Sequence, residues 1–220
     1  MNKIILFLVI SLVILYGCQQ AATKPEPAAP AADAAPKETA LASEPKAEAP
    51  QPEIPSDIKE LLSKSKTKLT SYSYRYTSPE GDVSIKISVK GNKTRIDLPS
   101  IINLGGKIYN TIYLDTAEKK AEAYCVGYSN CGNNLGKIAD LSYAKSYIET
   151  PVDWLAKVTE ASKLGEEMME NKASLKISTN IGIIWVEKYY GFLYKIQDGE
   201  NIYSFSDAAF NAVADSEVTP

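Results

Sequence analysis

An α+β domain, built on one long antiparallel sheet with helices on one side of it, is predicted for residues 56–220 by three observations. Apolar residues recur at period two over most of the segment. The stretches so marked are joined by short turn pairs rather than by helical crossovers. The helical period of 3.6 surfaces only at the start of the segment and near its middle.

Each element follows in order. Ser56 after Pro55 reads as a helix N-cap, with Asp57 and Glu60 in the first turn and Ile58, Leu61, Leu62 and Leu69 on one face. Tyr72, Tyr74 and Tyr76 then alternate with Ser and Arg, and Val83, Ile85, Ile87 and Val89 with Ser and Lys, as strands do. Gly91-Asn92 separates the second of these from Thr94, Ile96 and Leu98, which predicts a hairpin. Leu104-Gly105-Gly106-Lys107 has two glycines and a lysine without P-loop spacing, and reads as a turn before the strand Ile108–Leu114. Asp115–Lys119 is a turn and Lys120–Cys125 pairs back. From about Leu135 to Lys163 the period moves towards 3.6, so two helices are expected, one over Ile138, Leu141 and Ile148 and one over Val152, Leu155 and Val158. Thr150, Pro151 and Asp153 start the second as cap, first residue and N3 acid. Met168 and Met169 beside Glu166 and Glu167 read as a flexible lip or a loop. Alternation returns at Ala173–Ser178, Ile181–Glu187, Gly191–Gln197 and Asn201–Ser206, the last two joined at Asp198-Gly199.

The chain before residue 56 is of another kind. Asn2 and Lys3 precede an apolar run of 13 residues, Ile4 to Tyr16, broken only by Ser11. A helix needs roughly 20 apolar residues to span a bilayer, so residues 1–17 read as an export signal. Leu15-Tyr16-Gly17-Cys18 resembles a prokaryotic lipobox, with Tyr16 where a small residue is usual. That resemblance implies cleavage before Cys18 and acylation of its thiol, palmitate-type chains then anchoring the product to a membrane outside the cytoplasm. Gln19 to Pro55 holds 12 Ala and 8 Pro with no aromatic residue, too little apolar area to offset the entropy of ordering. Residues 18–55 are thus a disordered tether, with a reach of at least ~35 Å by coil scaling. It carries 6 acidic and 3 basic residues, leaving 20 Lys plus Arg against 21 Asp plus Glu in residues 56–220. The domain is nearly neutral, and no nucleic-acid partner is expected.

Composition also narrows the chemistry. The chain has no His, which removes the usual base of neutral pH and the commonest transition-metal ligand. Ser142, Lys145 and Ser146 form no recognised nucleophile arrangement, and Glu166-Glu167 are neighbours in sequence without a shared substrate. No catalytic residue, metal ligand or cofactor is assigned, and the chain is expected not to be an enzyme. Cys125 and Cys131 remain as an even pair in an exported chain and are expected to form a disulfide rather than a redox pair, which would want two-residue spacing. Asn92-Lys93-Thr94 is a glycosylation sequon that coincides with the hairpin turn.

The order of helix, antiparallel strands, helices and further strands resembles the LolA/LolB-like lipoprotein-carrier superfamily. The local matches are Lys90-Gly91-Asn92-Lys93-Thr94-Arg95-Ile96, Ile184-Trp185-Val186-Glu187 with Tyr190-Gly191-Phe192-Leu193-Tyr194-Lys195-Ile196, and Phe205-Ser206-Asp207 with Phe210-Asn211. The resemblance implies a strongly curved, unclosed half-barrel with helices packed in its concavity, whose concave face takes acyl chains. Thirteen Tyr, three Phe and two Trp in residues 56–220 supply bulk for such a lining. Tyr72, Tyr74, Ile85, Ile87, Ile96, Trp185 and Phe192 are its expected ligand-binding residues; filling an ordinary core is the competing account for each. The expected function is a monomeric, lipid-anchored binder or carrier of a hydrophobic ligand such as a lipid or lipoprotein acyl chains. The alternative is an envelope interaction or sensor module that recognises a protein partner through an exposed apolar patch.

Overall fold

The computed structural model describes residues 53–81 and 83–220. Cys18, the export signal and all but the end of the tether lie outside the described residues. The first helix, α1 (Ser56–Lys68), buries Ile58, Leu61 and Ser65 and places Asp57 in its first turn and Lys66 and Lys68 in its last, each charge opposing the helix dipole end it sits on. Its cap position falls on Pro55 rather than Ser56. Pro55 has no capping side chain, and Ser56 is drawn into the first turn. Leu69 turns the chain out of the helix with extended backbone.

Five strands follow: β1 (Ser71–Thr77), β2 (Ile85–Lys90), β3 (Lys93–Leu104), β4 (Lys107–Asp115) and β5 (Lys120–Cys125). After the one-turn helix α2 (Tyr128–Cys131) come β6 (Gly136–Leu141), α3 (Tyr143–Ser146) and α4 (Pro151–Ala156). The chain ends with β7 (Ala161–Met169), β8 (Lys172–Thr179), β9 (Gly182–Glu187), β10 (Leu193–Asp198), β11 (Asn201–Phe210) and α5 (Asp215–Val218). All eleven strands form one sheet in the order β6-β5-β4-β3-β2-β1-β11-β10-β9-β8-β7, antiparallel throughout. β6 and β7 are its two edges, so the sheet is not closed into a barrel. The first and last strands of the domain meet in its middle.

Register puts the apolar set on one face. Tyr74 pairs with Ile87, Ile87 with Ile96, Ile96 with Ile112, and Ile112 with Ala123. On the other side of β1 the row continues through Tyr203, Ile196, Ile184 and Ile177. The register shifts in β1 between Ser73 and Arg75 and in β10 between Leu193 and Lys195, interruptions of the ladder of the kind at which strands bend and twist. α1 and α4 touch each other across it, α4 reaching β10 and α3 reaching β5. Gly191, at φ +70°, lets α1 close on the β9–β10 turn: a Cβ there would stand 2.5 Å from the Leu61 carbonyl oxygen.

Several expectations are corrected. Residues 136–141 form strand β6, not a helix, because Ala139 and Leu141 pair with Ala123 and Ala121 on β5. Only α3 and α4, four and six residues long, remain of the two expected helices. Met168 and Met169 are neither lip nor loop but the end of edge strand β7, paired with Ala173 and Lys172. β3 runs on through Pro99 to Leu104, the register shifting between Asp97 and Ile102, where the missing proline N–H leaves no gap in a regular ladder. Val83 stays outside β2 and is exposed.

The α4 cap is the one the sequence spells, a full capping box between Thr150 and Asp153 with Pro151 in the first turn. The Cys125 and Cys131 sulfurs stand 2.05 Å apart, at bonding distance, with their Cα atoms 5.7 Å apart. In the Gly91-Asn92 turn the Asn92 amide donates to Asp115 at 2.8 Å, and Lys93 bonds the same carboxylate. The Lys93 bond first, with the Glu118 and Ala117 N–H groups and Asn92 beside it, holds the Asp115 carboxyl well below its ordinary range.

Candidate functional site

A cavity of about 560 Å³ opens on the helix-covered face of the sheet. The end of α1 supplies Lys66 and Leu69, the inner face of β1–β3 supplies Tyr72, Val89 and Thr94, and the α3–α4 segment supplies Tyr143, Tyr147, Val152 and Asp153. Each wall has a local cause. Leu69 hangs at the cavity because α1 stops at Lys68; Tyr72 and Val89 are register partners and project side by side. Tyr143 and Tyr147, one helical turn apart, stack with centroids 5.3 Å apart.

Polar groups gather at one end. The Tyr147 hydroxyl (2.6 Å), the Thr150 hydroxyl (2.6 Å) and the Thr150 N–H (2.8 Å) all donate to one oxygen of Asp153, Oδ2. Burial first, and this bond to a carboxylate second, drive the Tyr147 phenol far above its ordinary value. Tyr72 is pushed up to about 12, chiefly by burial. Tyr74 lies against Tyr72, their rings 6.0 Å apart, and is only 1% exposed; its hydroxyl is buried and has no hydrogen-bond partner among the described residues, and burial raises its pKa strongly. The hydroxyl of Tyr194 is likewise buried without a partner. At the cavity mouth the Lys119 ammonium lies 5.0 Å from the centre of the Tyr143 ring.

A second, more apolar cavity of about 390 Å³ lies on the same face, lined by Ile96, Leu98, Ile112, Leu141, Lys145 and Ile148 among others. The segment from Ser142 to Thr150 runs between the two, contributing Tyr143 and Tyr147 to one and Ser142 and Ile148 to the other.

Of the residues expected to line a ligand site, Tyr72 lines the larger cavity and Ile96 the smaller. Tyr74, Ile87 and Phe192 are packed in the core, and Ile85 is half-buried against it. Trp185 points to the opposite face, since alternation along β9 gives Ile184 and Val186 to the core. Its indole N–H donates to Glu167 at 2.8 Å, and Lys176 and Lys195 lie over the ring. That indole bond, with Lys176, holds the Glu167 carboxyl below its ordinary value. Leu69, Val89, Tyr143, Tyr147, Val152 and Asp153 were not among the expected site residues. The only signal for any of them is the Thr150-Pro151-Asp153 cap, which marks a helix start and not what that start faces.

Away from both cavities, the overhanging β3–β4 hairpin exposes Ile101 (45%), Ile102 (39%) and Leu104 (44%). Among the described residues no group of three or more His, Cys, Asp or Glu could hold a metal ion, and no helix is long and apolar enough to cross a membrane.

No known family profile matches the chain, and no curated protein matches its sequence. Similar solved structures include LprF from Mycobacterium bovis, with 13% identity over 77% of this chain and 99% of that one, at a TM-score of 0.47. MucB shares 10% identity over 74% of this chain and 61% of its own, at a TM-score of 0.42, so the chain spans about three fifths of that protein. A domain named for outer membrane lipoprotein sorting, from Vibrio parahaemolyticus, shares 10% identity over 74% of this chain and 97% of its own, at a TM-score of 0.22.

Proposed function

We propose that the domain binds an amphipathic, largely apolar molecule in the cavity between α1, α3, α4 and the inner face of the sheet, without catalysing a reaction on it. The observation that carries this is the cavity itself: about 560 Å³, within the roughly 300–1,000 Å³ of small-molecule sites, with the aliphatic side chains of Leu69, Val89 and Val152 set among tyrosine rings and a larger share of polar groups. A further 390 Å³ of more apolar space adjoins the same segment. Each methylene seated against Leu69, Val89 and Val152 contributes ~0.8 kcal/mol before ordering costs, so an alkyl chain needs no special chemistry to be held.

The full chain is expected to take up a fluorescent fatty acid saturably. Val152→Asp should weaken uptake at least about tenfold, since it sets a charge against the chain while an acid in the first turn of α4 remains compatible with the helix. Trp185→Phe, on the opposite face, should leave uptake unchanged. A folded protein that takes up no probe would end the proposal.

The membrane attachment is proposed on the sequence. Cys18 carries the lipid, residues 19–55 form the leash, and the binding domain works outside the cytoplasm. Mass spectrometry of the chain extracted from its host's membranes is expected to find an N-terminal peptide beginning at acylated Cys18; an unmodified Cys18 still preceded by residues 1–17 would refute the attachment.

A further inference from the structure

The cavity is not electrically blank. It has one carboxylate, Asp153, and two ammonium groups, Lys66 and Lys119, among its lining residues. All three donors on Asp153 converge on Oδ2, and no donor among the described residues reaches Oδ1. Neither lysine is in an ion pair among the described residues; Lys119 rests over the Tyr143 ring instead. Tyr143 links the two signs: Lys119 covers its ring, and the Asp153 charge is near enough to help raise its phenol, after burial. Opposite charges thus share one pocket without neutralising each other, next to the apolar wall of Leu69, Tyr72, Val89 and Val152. A carboxylate with a free oxygen suits an ammonium donor, and two unpaired ammonium groups suit an anion.

Resting on the proposed cavity function, we infer that the ligand is a zwitterionic amphiphile: an alkyl chain bearing a headgroup that carries both an ammonium and a phosphate-like anion. The ammonium donates to Asp153 Oδ1, the anion sits towards Lys66 and Lys119, and the chain runs along the apolar wall. An anionic lipid of the same chain length would satisfy the lysines and offer Asp153 Oδ1 at most a neutral hydroxyl in place of an ammonium. That mismatch is the source of selectivity.

The test uses the full chain and two single-chain lipids with the same acyl group, lysophosphatidylethanolamine and lysophosphatidylglycerol, with free phosphoethanolamine as a chainless arm, each followed by calorimetric titration. The ethanolamine lipid should bind on the order of tenfold more tightly than the glycerol lipid, the worth of one charge-assisted hydrogen bond. Asp153→Asn, which keeps an acceptor for the α4 cap, should bring the two within about twofold, while Lys119→Gln should weaken both together. A thermal melt of each variant separates loss of binding from loss of fold. Equal binding of the two lipids by the unmodified chain would overturn the headgroup inference and leave the cavity function standing, whereas phosphoethanolamine binding as tightly as its lipid would overturn the seating of the alkyl chain and the cavity function with it. Binding of neither lipid would overturn both.

Discussion

Replacing Phe192 by alanine is expected to lower the unfolding free energy by about 3–5 kcal/mol, the range for deleting a fully buried aromatic ring. Phe192 is 0% exposed and touches four other aromatic side chains: Tyr72 (6.0 Å between centroids), Tyr74 (6.1 Å), Tyr194 (5.4 Å) and Phe210 (5.1 Å). These come from β1, β10 and β11, so the ring sits where the two halves of the sheet join. The site cannot collapse around the gap easily. Its neighbour Gly191 is pressed against the backbone of α1 at Leu61 and Ser65, and the Phe192 carbonyl accepts from the Glu187 N–H at 2.8 Å. The loss should appear as a fall in melting temperature of roughly 10 °C or more for a domain of this size. A change below about 1 kcal/mol would mean that the aromatic cluster is not the joint between the halves.

A steep unfolding transition at alkaline pH is the second large effect expected. Tyr72 is held at about 12 in the fold, mainly by burial, and an unfolded tyrosine ionises near 10. Below pH 10 both states carry the phenol and the folded state keeps its full stability. Between pH 10 and 12 the unfolded chain releases the proton and the folded one does not, so stability falls as pH rises. By pH 12 Tyr72 alone removes about 2–3 kcal/mol. Tyr74, Tyr147 and Tyr194 are raised in the same direction, each chiefly by burial, and add to the loss. Phenolate absorbance should therefore rise steeply together with loss of circular dichroism, and Tyr72→Phe should move the transition to higher pH. Gradual titration of all thirteen domain tyrosines with the dichroism intact at pH 12 would contradict the burial on which this rests.

Strands were legible where one face is buried. Tyr72, Tyr74 and Tyr76, or Ile85, Ile87 and Val89, alternate because every second side chain meets the core. The same logic explains the failures. β7 is an edge strand exposed on most of its length, so Lys163, Leu164 and Glu167 carry no alternation to read. In β6 the three-residue spacing of Ile138 and Leu141 mimics a helical turn, and only the pairing with β5 decides against it. The cavity was less legible than the sheet. Its walls come from the end of α1, the β1–β3 face and the α3–α4 segment, which no local pattern relates. Aromatic bulk pointed to a lined interior, but Phe192 and Tyr74, the largest of the fully buried side chains, became filling, and Tyr72, Tyr143 and Tyr147 border the empty space instead.

The pairing of β1 with β11 has a consequence for how the protein is made. Ser71 and Asn211 meet across 140 residues of chain, in the centre of the sheet rather than at a rim. Until the last strand has been synthesised, β1 has a bare flank and the aromatic joint lacks Phe205 and Phe210. Such distant closure slows folding. On the export proposed for this chain, a leader at residues 1–17 would be read long before the final strand exists, and the polypeptide would stay threadable until its end arrives and lock only once the C-terminal ribbon drops into place.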